Sequence, residues 1–364
     1  MGLRIGIVGL PNVGKSTVFN ALTKARAQVA NYPFCTIDPN VGVVAVPDPR
    51  LAKLAEIYKP QKVTPTTVEF VDIAGLVKGA SAGEGLGNQF LGHIKEVDAV
   101  LHVVRCFEDP DIVHVSGDVD PARDIEVIQT ELCLKDLDTV ANRIKKWEKN
   151  AKSGDKEAQL AMATLTKASK LLEAGTPIRK GSWSKEEVPF LRELQLMTQK
   201  PVLYGANVKE SDLPAGGPLV EQVKRLAASE GALVVIICGK VEAEVSELQD
   251  EEAKIYLKEF GLEESGLNQL IRVGYQLLGL ITFFTAGEKE VRAWTVLKGA
   301  TAPQAAGVIH SDFERGFIRA EVMRFEDLVQ FGNQQAVKDK GLYRLEGKEY
   351  LVQDGDVIYF RFNV

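Results

Sequence analysis

The chain has 364 residues and a mass of 39.8 kDa, a size that predicts roughly two or three domains. Its residues are 45% hydrophobic and 26% charged, which is typical of a globular protein. The formal net charge of −6 excludes a general attraction to nucleic acid or to anionic membranes. Any contact with RNA therefore requires a local basic surface.

The four cysteines, Cys35, Cys106, Cys133 and Cys238, are far apart in the sequence and form no C-x-x-C pair. This spacing argues against a zinc site and against a disulfide framework, and it favours reduced thiols in the cytoplasm. No apolar run approaches the roughly 20 residues that a membrane span requires. The first apolar strand also begins too close to Met1 to leave room for a signal peptide. We expect a cytoplasmic protein with no membrane partner, and a monomer.

The first strand predicted is the apolar run at residues 3–8, which leads into Gly9-Leu10-Pro11-Asn12-Val13-Gly14-Lys15-Ser16 and then into a helical pattern. This is the phosphate-binding pattern G-x-x-x-x-G-K-[ST] in its strand-to-helix context. Glycines let backbone N–H groups surround a phosphate, Lys15 reaches the β- and γ-phosphates, and the Ser16 hydroxyl is placed for Mg²⁺. We expect a nucleoside triphosphate to contact Gly9, Asn12, Val13, Gly14, Lys15, Ser16 and Thr17.

Two segments after the first helix are candidates to complete the phosphate and Mg²⁺ site. Residues 29–40 contain two prolines and two asparagines and lie where GTPases keep their first switch loop. Thr36 in this loop is a candidate Mg²⁺ ligand; the alternative is a surface threonine without a ligand. The β-rich run 67–75 places Asp72 where it would hold Mg²⁺ through water, and Gly75 where its N–H reaches the γ-phosphate.

The group that positions the attacking water is not the usual one. Leu76 follows Gly75 at the position where Ras-like enzymes carry a glutamine, and a leucine cannot hydrogen-bond water. Hydrolysis therefore needs another group. His114, in the Asp-rich loop after the apolar strand 97–107, is a candidate catalytic residue together with Lys15. The alternative for His114 is an ordinary loop histidine.

From residue 121 to about 200 the sequence is rich in helix formers. Apolar residues recur at spacings of three and four on both sides of a turn signal at 152–155, which predicts an antiparallel coiled-coil hairpin inserted in the nucleotide-binding domain. The seam predicted for its first helix consists of Leu134, Leu137, Ala141 and Ile144. Basic residues near its tip include Arg143, Lys145, Lys146 and Lys149. They form either a solvated helix face or a contact with the phosphate backbone of RNA.

The base-recognition segment departs from the guanine pattern. Asn207-Val208-Lys209-Glu210 follows a predicted strand at the place where guanine-binding domains carry Asn-Lys-x-Asp. The extra methylene of Glu210 displaces the carboxylate that pairs with guanine, and each misplaced polar pair costs about 1–3 kcal/mol. Asn207 can serve the N6/N7 edge of adenine instead. We therefore expect Asn207, Val208 and Glu210 to contact the base, and the base to be adenine.

These elements predict an α/β fold with a mostly parallel sheet. Residues 1–120 and 201–280 form the P-loop nucleotide-binding domain, residues 121–200 the helical insert, and residues 281–364 a β-rich domain in which a small mixed sheet packs on one helix. Lys and Arg nearly balance Asp and Glu in residues 281–364, so charge does not identify this domain as an RNA binder. We interpret it as an interaction module.

Together, the phosphate loop with Asn12, Asp72-Ile73-Ala74-Gly75-Leu76, Asn207-Val208-Lys209-Glu210, the insert and the β-rich tail resemble the Obg-like ATPases of the YchF type. The resemblance implies a C-terminal TGS domain of β-grasp shape and Mg²⁺-dependent hydrolysis of ATP in preference to GTP. It further implies association with the ribosome or ribosomal RNA through the insert and the tail, and a K⁺ ion near Asn12. Two other functions stay open: a GTPase switch of ordinary guanine specificity, and an adaptor in which hydrolysis is incidental.

Overall fold

The computed structural model describes residues 3–24, 40–73, 86–152 and 155–363, without the side chains of residues 86–89 and 149–152. The strands are β1 Arg4–Val8, β2 Val41–Ala45, β3 Lys62–Thr64, β4 Thr67–Asp72, β5 Ala99–Arg105, β6 Val202–Asn207, β7 Leu233–Ile237, β8 Leu280–Ala286, β9 Glu290–Leu297, β10 Phe317–Arg324, β11 Arg344–Glu346 and β12 Asp356–Phe362.

The helices of the first two-thirds of the chain are α1 Lys15–Lys24, α2 Pro49–Tyr58, α3 Leu86–Glu96, α4 Pro121–Lys152, α5 Lys156–Glu173, α6 Val188–Leu194, α7 Gly217–Ser229 and α8 Gly239–Val245. The remaining helices are α9 Asp250–Glu259, α10 Gly266–Leu277, α11 Ala302–Ile309, α12 Ser311–Arg315, α13 Phe325–Phe331 and α14 Gln334–Asp339. None of these described helices is both long and apolar enough to cross a membrane.

The chain divides into two compact units, residues 1–43 with 69–270 and residues 44–68 with 271–364. The sequence analysis assigned residues 44–68 to the nucleotide-binding domain, whereas the structure groups them with the C-terminal residues. The reason is packing: Leu51 and Leu54 of α2 are buried in the same cluster as Phe284 of β8.

The sheet of the first unit has the strand order β2-β4-β1-β5-β6-β7. Strands β4, β1, β5, β6 and β7 are paired in parallel. All seven residues of β5 are buried, as expected for a central parallel strand covered on both faces. Because the carboxyl ends of parallel strands share one edge, the loops that follow β1, β5 and β6 meet there, at the usual ligand position of such sheets.

The insert contains the predicted helical hairpin, formed by α4 and α5 packed on each other. Asp155 caps α5 by accepting hydrogen bonds from the amides of the following turn. The predicted seam is wrong at Leu134, which is 45% exposed. Helix α4 instead buries Cys133 and Val140 in the hydrophobic cluster that it forms with α5. Leu137 and Ile144 pack against that cluster, as predicted.

The sheet of the second unit has the order β11-β10-β12-β8-β9-β3. Strands β8 and β9 form an antiparallel hairpin, β12 lies parallel to β8, and β10 pairs antiparallel with both β12 and β11. Helix α11 covers one face of this sheet, and α2 with α13 contributes to the cluster on the other. This mixed sheet with a helix across one face has the β-grasp arrangement that the resemblance implies for the C-terminal domain.

Candidate nucleotide-binding site

The phosphate loop joins β1 to α1, as the motif predicts. Asn12 and Gly14 adopt left-handed backbone conformations, with φ of 61° and 98°. At Gly14 a glycine is required for two reasons: side chains disfavour this φ, and a Cβ atom would collide with Nδ2 of Asn207. The loop therefore approaches the base-recognition strand closely at this point.

Asn207 connects the phosphate loop to the start of α8. Its Nδ2 donates to the Val13 carbonyl over 2.9 Å, and its Oδ1 accepts from the Gly239 amide over 3.0 Å. The side chain is buried, so these two contacts fix its orientation. Sequence analysis predicted a base contact here and missed this role, because Val13 and Asn207 are distant in the chain.

Lys15 and Asp72 lie close enough to influence each other's ionisation. Burial lowers the pKa of Lys15, while the charge of Asp72 acts in the opposite direction. Burial likewise raises the pKa of Asp72, opposed by Lys15. Their proximity follows from the sheet, in which Asp72 of β4 stands opposite Ile7 of β1. The Lys15 ammonium donates to the Leu10 carbonyl over 2.9 Å, which holds the lysine over its own loop.

A cavity of about 830 Å³ opens beside the phosphate loop. Its lining includes eight of the residues predicted from the sequence, namely Asn12, Gly14, Lys15, Ser16, Thr17, Asn207, Val208 and Glu210. It also includes Phe107, Glu108, Asp109, Ile112, Lys209, Cys238, Gly239, Lys240, Ala243 and Glu244. Gly9, Val13, Asp72 and His114 are not among the lining residues. Thr36 and Gly75 lie outside the residues that the structure describes.

Glu210 forms a salt bridge that the sequence analysis did not predict. The Lys240 ammonium donates to Glu210 Oε2 over 3.0 Å, and both side chains line the cavity. Glu210 lies just after β6, and Lys240 lies in the first turn of α8, which follows β7. The pairing of β6 with β7 brings them together, so only a correct strand order could have indicated this contact.

The structure does not bring His114 into the cavity. The Ser116 amide donates to Nδ1 over 3.2 Å, so the ring proton resides on Nε2, which donates to Asp124 Oδ2 over 2.9 Å. Both side chains of this pair are buried, at 2% and 3% exposure. The adjacent Val113 carbonyl instead accepts from Asn12 Nδ2 over 3.2 Å, which links the histidine loop to the phosphate loop.

Comparisons with known proteins give the chain its family. A family model described as a 50S ribosome-binding GTPase matches residues 4–149, and a YchF-GTPase C-terminal model, described as a protein of unknown function, matches residues 280–363. Relatives named ribosome-binding ATPase YchF from Haemophilus ducreyi and Escherichia coli O157:H7 are each 58% identical over 100% of both chains. The Bacillus subtilis relative of that name is 56% identical, again over 100% of both. The chain belongs to the YchF family.

A solved structure supports the same assignment for the fold. The Schizosaccharomyces pombe YchF GTPase matches with a TM-score of 0.89 and 42% identity, over 99% of this chain and 98% of that one. The predicted family and the predicted α/β fold class are therefore confirmed. The YchF relatives are named as ATPases and the solved structure as a GTPase, so these names do not decide the base preference.

A magnesium ion fits the donors near the YchF phosphate loop. Among the described residues, no group of three or more His, Cys, Asp or Glu side chains is placed to hold a metal. An ion that arrives with a nucleotide needs only one or two protein oxygen ligands, because phosphates and water supply the others. The Ser16 hydroxyl, which lines the cavity, and the nearby Asp72 carboxylate are donors of this kind.

Proposed function

We propose that this YchF-family chain binds ATP in preference to GTP, hydrolyses it with Mg²⁺, and associates with the ribosome in the cytoplasm. The curated relatives named ribosome-binding ATPase support this proposal through full-length similarity. The observation that carries the base preference is the contact between Glu210 and Lys240 in the cavity.

We favour adenine because the Glu210 carboxylate, which would have to accept from guanine, already accepts from Lys240. Recognition of guanine requires a carboxylate that accepts from its N1–H and 2-amino groups. In this cavity one oxygen of Glu210 already accepts from Lys240, and the glutamate side chain is longer than the aspartate of guanine sites. Unsatisfied polar groups on guanine would then cost about 1–3 kcal/mol each, which lowers its affinity about tenfold or more. Adenine lacks those two donors and avoids the penalty.

The phosphate half of the site follows from the phosphate loop. We assign Lys15 to the β- and γ-phosphates, with backbone groups from Gly9, Val13, Gly14 and Thr17 surrounding them. Ser16 and Asp72, with Thr36 and Gly75 from the segments not described, complete the assigned Mg²⁺ and γ-phosphate contacts. When bound, Mg²⁺ neutralises charge on the β- and γ-phosphates.

His114 remains our candidate for positioning the attacking water, in place of the absent glutamine. In the structure, Nε2 of His114 is hydrogen-bonded to Asp124. This bond must break before the histidine ring can reach a phosphate. We expect His114→Ala to slow single-turnover ATP hydrolysis measured at saturating ATP, where a change in ATP affinity does not affect the rate. An unchanged rate at saturating Mg²⁺ removes the histidine from the mechanism.

The alternative candidate is a K⁺ ion near Asn12, and it has its own test. If K⁺ stabilises the phosphates, ATP hydrolysis slows when K⁺ is replaced by Na⁺ at equal ionic strength. An equal rate in the two salts removes K⁺ from the proposed mechanism.

Two measurements test the function as a whole. The first compares ATP and GTP affinities of the wild-type chain by calorimetry, then repeats the comparison with Glu210→Asp. Tighter binding of GTP by the wild type would support a GTPase of ordinary specificity. The second is cosedimentation with ribosomes in the apo, ATP and ADP states. We assign the ribosome contact to the insert and the β-grasp domain, and binding that ignores the nucleotide would support the adaptor function.

A further inference from the structure

The loop that follows β5, residues 106–117, forms one side of the nucleotide cavity. Phe107, Glu108, Asp109 and Ile112 of this β5 loop belong to the cavity lining. Strand β5 lies between β1 and β6, so the loop emerges between the phosphate loop and the base-recognition segment. A nucleotide that spans these two segments would have its ribose and base beside this loop.

Arg105, the last residue of β5, holds the β5 loop through hydrogen bonds to its backbone carbonyls. The guanidinium donates from Nε to the Phe107 carbonyl over 3.0 Å, from Nη1 to the Ile112 carbonyl over 3.0 Å, and from Nη2 to the Asp109 carbonyl over 3.3 Å. It also lies over the Phe107 ring, 4.7 Å from the ring centroid. One side chain therefore fixes three backbone positions of the loop.

Arg105 is an unusual residue for this place. It is 1% exposed, in a strand whose residues are all buried, and none of the ion pairs found among the described residues includes it. A buried cation is costly unless hydrogen bonds compensate it, and here loop carbonyls supply that compensation. An apolar residue could not donate to these carbonyls, so the specific contribution of arginine is the fork of donors that holds the loop.

We propose that Arg105 is a positioning residue for nucleotide binding, which keeps the β5 loop in the shape that receives the base and ribose. The inference rests on the proposed nucleotide-binding function and adds a residue outside the cavity lining to that site. Because Arg105 acts through the loop, its loss should weaken binding of a complete nucleotide more than binding of phosphates alone.

The test compares Arg105→Met and Arg105→Lys with the wild-type full-length chain. Dissociation constants for ATP and for inorganic tripolyphosphate, both with Mg²⁺, are measured by calorimetry. We expect Arg105→Met to weaken ATP binding about tenfold or more, the loss equivalent to one charge-assisted hydrogen bond, and to leave tripolyphosphate binding unchanged. Arg105→Lys keeps the charge but not the fork, so its ATP affinity should be intermediate.

Hydrogen exchange provides a readout that general destabilisation would not produce. In the Arg105 variants, amides of residues 107–113 should exchange faster than in the wild type, while those of β1 and β6 should not. Arg179→Met is the matched control. Arg179 is a mostly buried arginine that donates to Glu230 over 2.6 Å and does not line the cavity, so its loss should lower stability and leave the ratio of ATP to tripolyphosphate affinity unchanged.

The outcomes separate this inference from the proposed function. Equal weakening of ATP and tripolyphosphate, or no weakening of either, overturns the role of Arg105. If Arg105→Met does not fold, the same comparison with Arg105→Lys decides. A wild-type chain that prefers GTP refutes only the proposed base preference, and the Arg105 variants are then compared with GTP. A wild-type chain that binds neither nucleotide overturns both.

Discussion

Glu242 connects α8 to α10 and should make the stability of the protein depend on pH. Its side chain is 2% exposed, and Oε1 accepts from the Gly266 amide at the start of α10 over 2.7 Å. Oε2 has no hydrogen-bond partner among the residues that the structure describes. Burial raises the pKa of Glu242 from 4.5 to about 7, although the hydrogen bond from the Gly266 amide favours the charged form.

Because the pKa of Glu242 is raised in the folded protein, the stability of the protein falls as the pH rises. The folded protein holds the Glu242 proton more tightly than the unfolded chain does, so the associated stability is fully present below pH 4.5. It is lost as the pH rises from 4.5 through about 7. At 1.36 kcal/mol per pKa unit, the loss between pH 5 and pH 8 is about 2.5 kcal/mol.

The assay is urea unfolding of the wild type and Glu242→Gln at several pH values between 5 and 8. Glutamine stays neutral, so its free energy of unfolding relative to that of the wild type should rise by about 2.5 kcal/mol across this range. Glu221→Gln, at an exposed glutamate on α7, is the control and should run parallel to the wild type. If Glu242→Gln also runs parallel to the wild type, burial of an ionised Glu242 does not limit stability.

Three further predictions concern the site and the insert. Lys240→Met should raise GTP affinity relative to ATP in calorimetry, because it releases the Glu210 carboxylate; an unchanged ratio would show that this contact does not set base preference. Gly14→Ala should weaken ATP binding, and adding Asn207→Ala should give a non-additive result with a coupling of about 0.5–3 kcal/mol, since the collision disappears while the positive φ remains. Lys145→Ala with Lys146→Ala should reduce the salt dependence of ribosome cosedimentation if these exposed lysines contact phosphates, and should leave it unchanged if they form only a solvated face.

The parts of the fold that the sequence predicted well depend on short-range patterns. A strand, a glycine-rich loop and a helix within about twenty residues specify the phosphate loop, and the apolar run of β5 specifies a buried parallel strand. The assignment of residues 44–68 could not be made in the same way. Leu51 and Leu54 have the spacing of any amphipathic helix, and nothing local identifies Phe284, far along the chain, as their partner.

The insert shows a second limit of pattern analysis. Along α4, apolar residues occupy more than one stripe, so a seam through Leu134 and a seam through Cys133 are both compatible with helical spacing. The helix packs by its contacts with α5 and with residues 178–196, which bury Cys133 and leave Leu134 exposed. Tertiary packing decided between stripes that local periodicity could not distinguish.

Within the site, the residues that escaped prediction are those whose partners come from another loop at the sheet edge. Asn207 was expected to face a base, yet one donor and one acceptor of its amide are used to join the phosphate loop to α8. These contacts fix its position, and its contact with a base stays a prediction. We propose that Glu210 and Lys240 discriminate between bases, since both line the cavity and contact each other at its surface. If the proposed preference for ATP holds, a frame shared with guanine-binding domains keeps its structural asparagine and changes its base preference through this one charge pair.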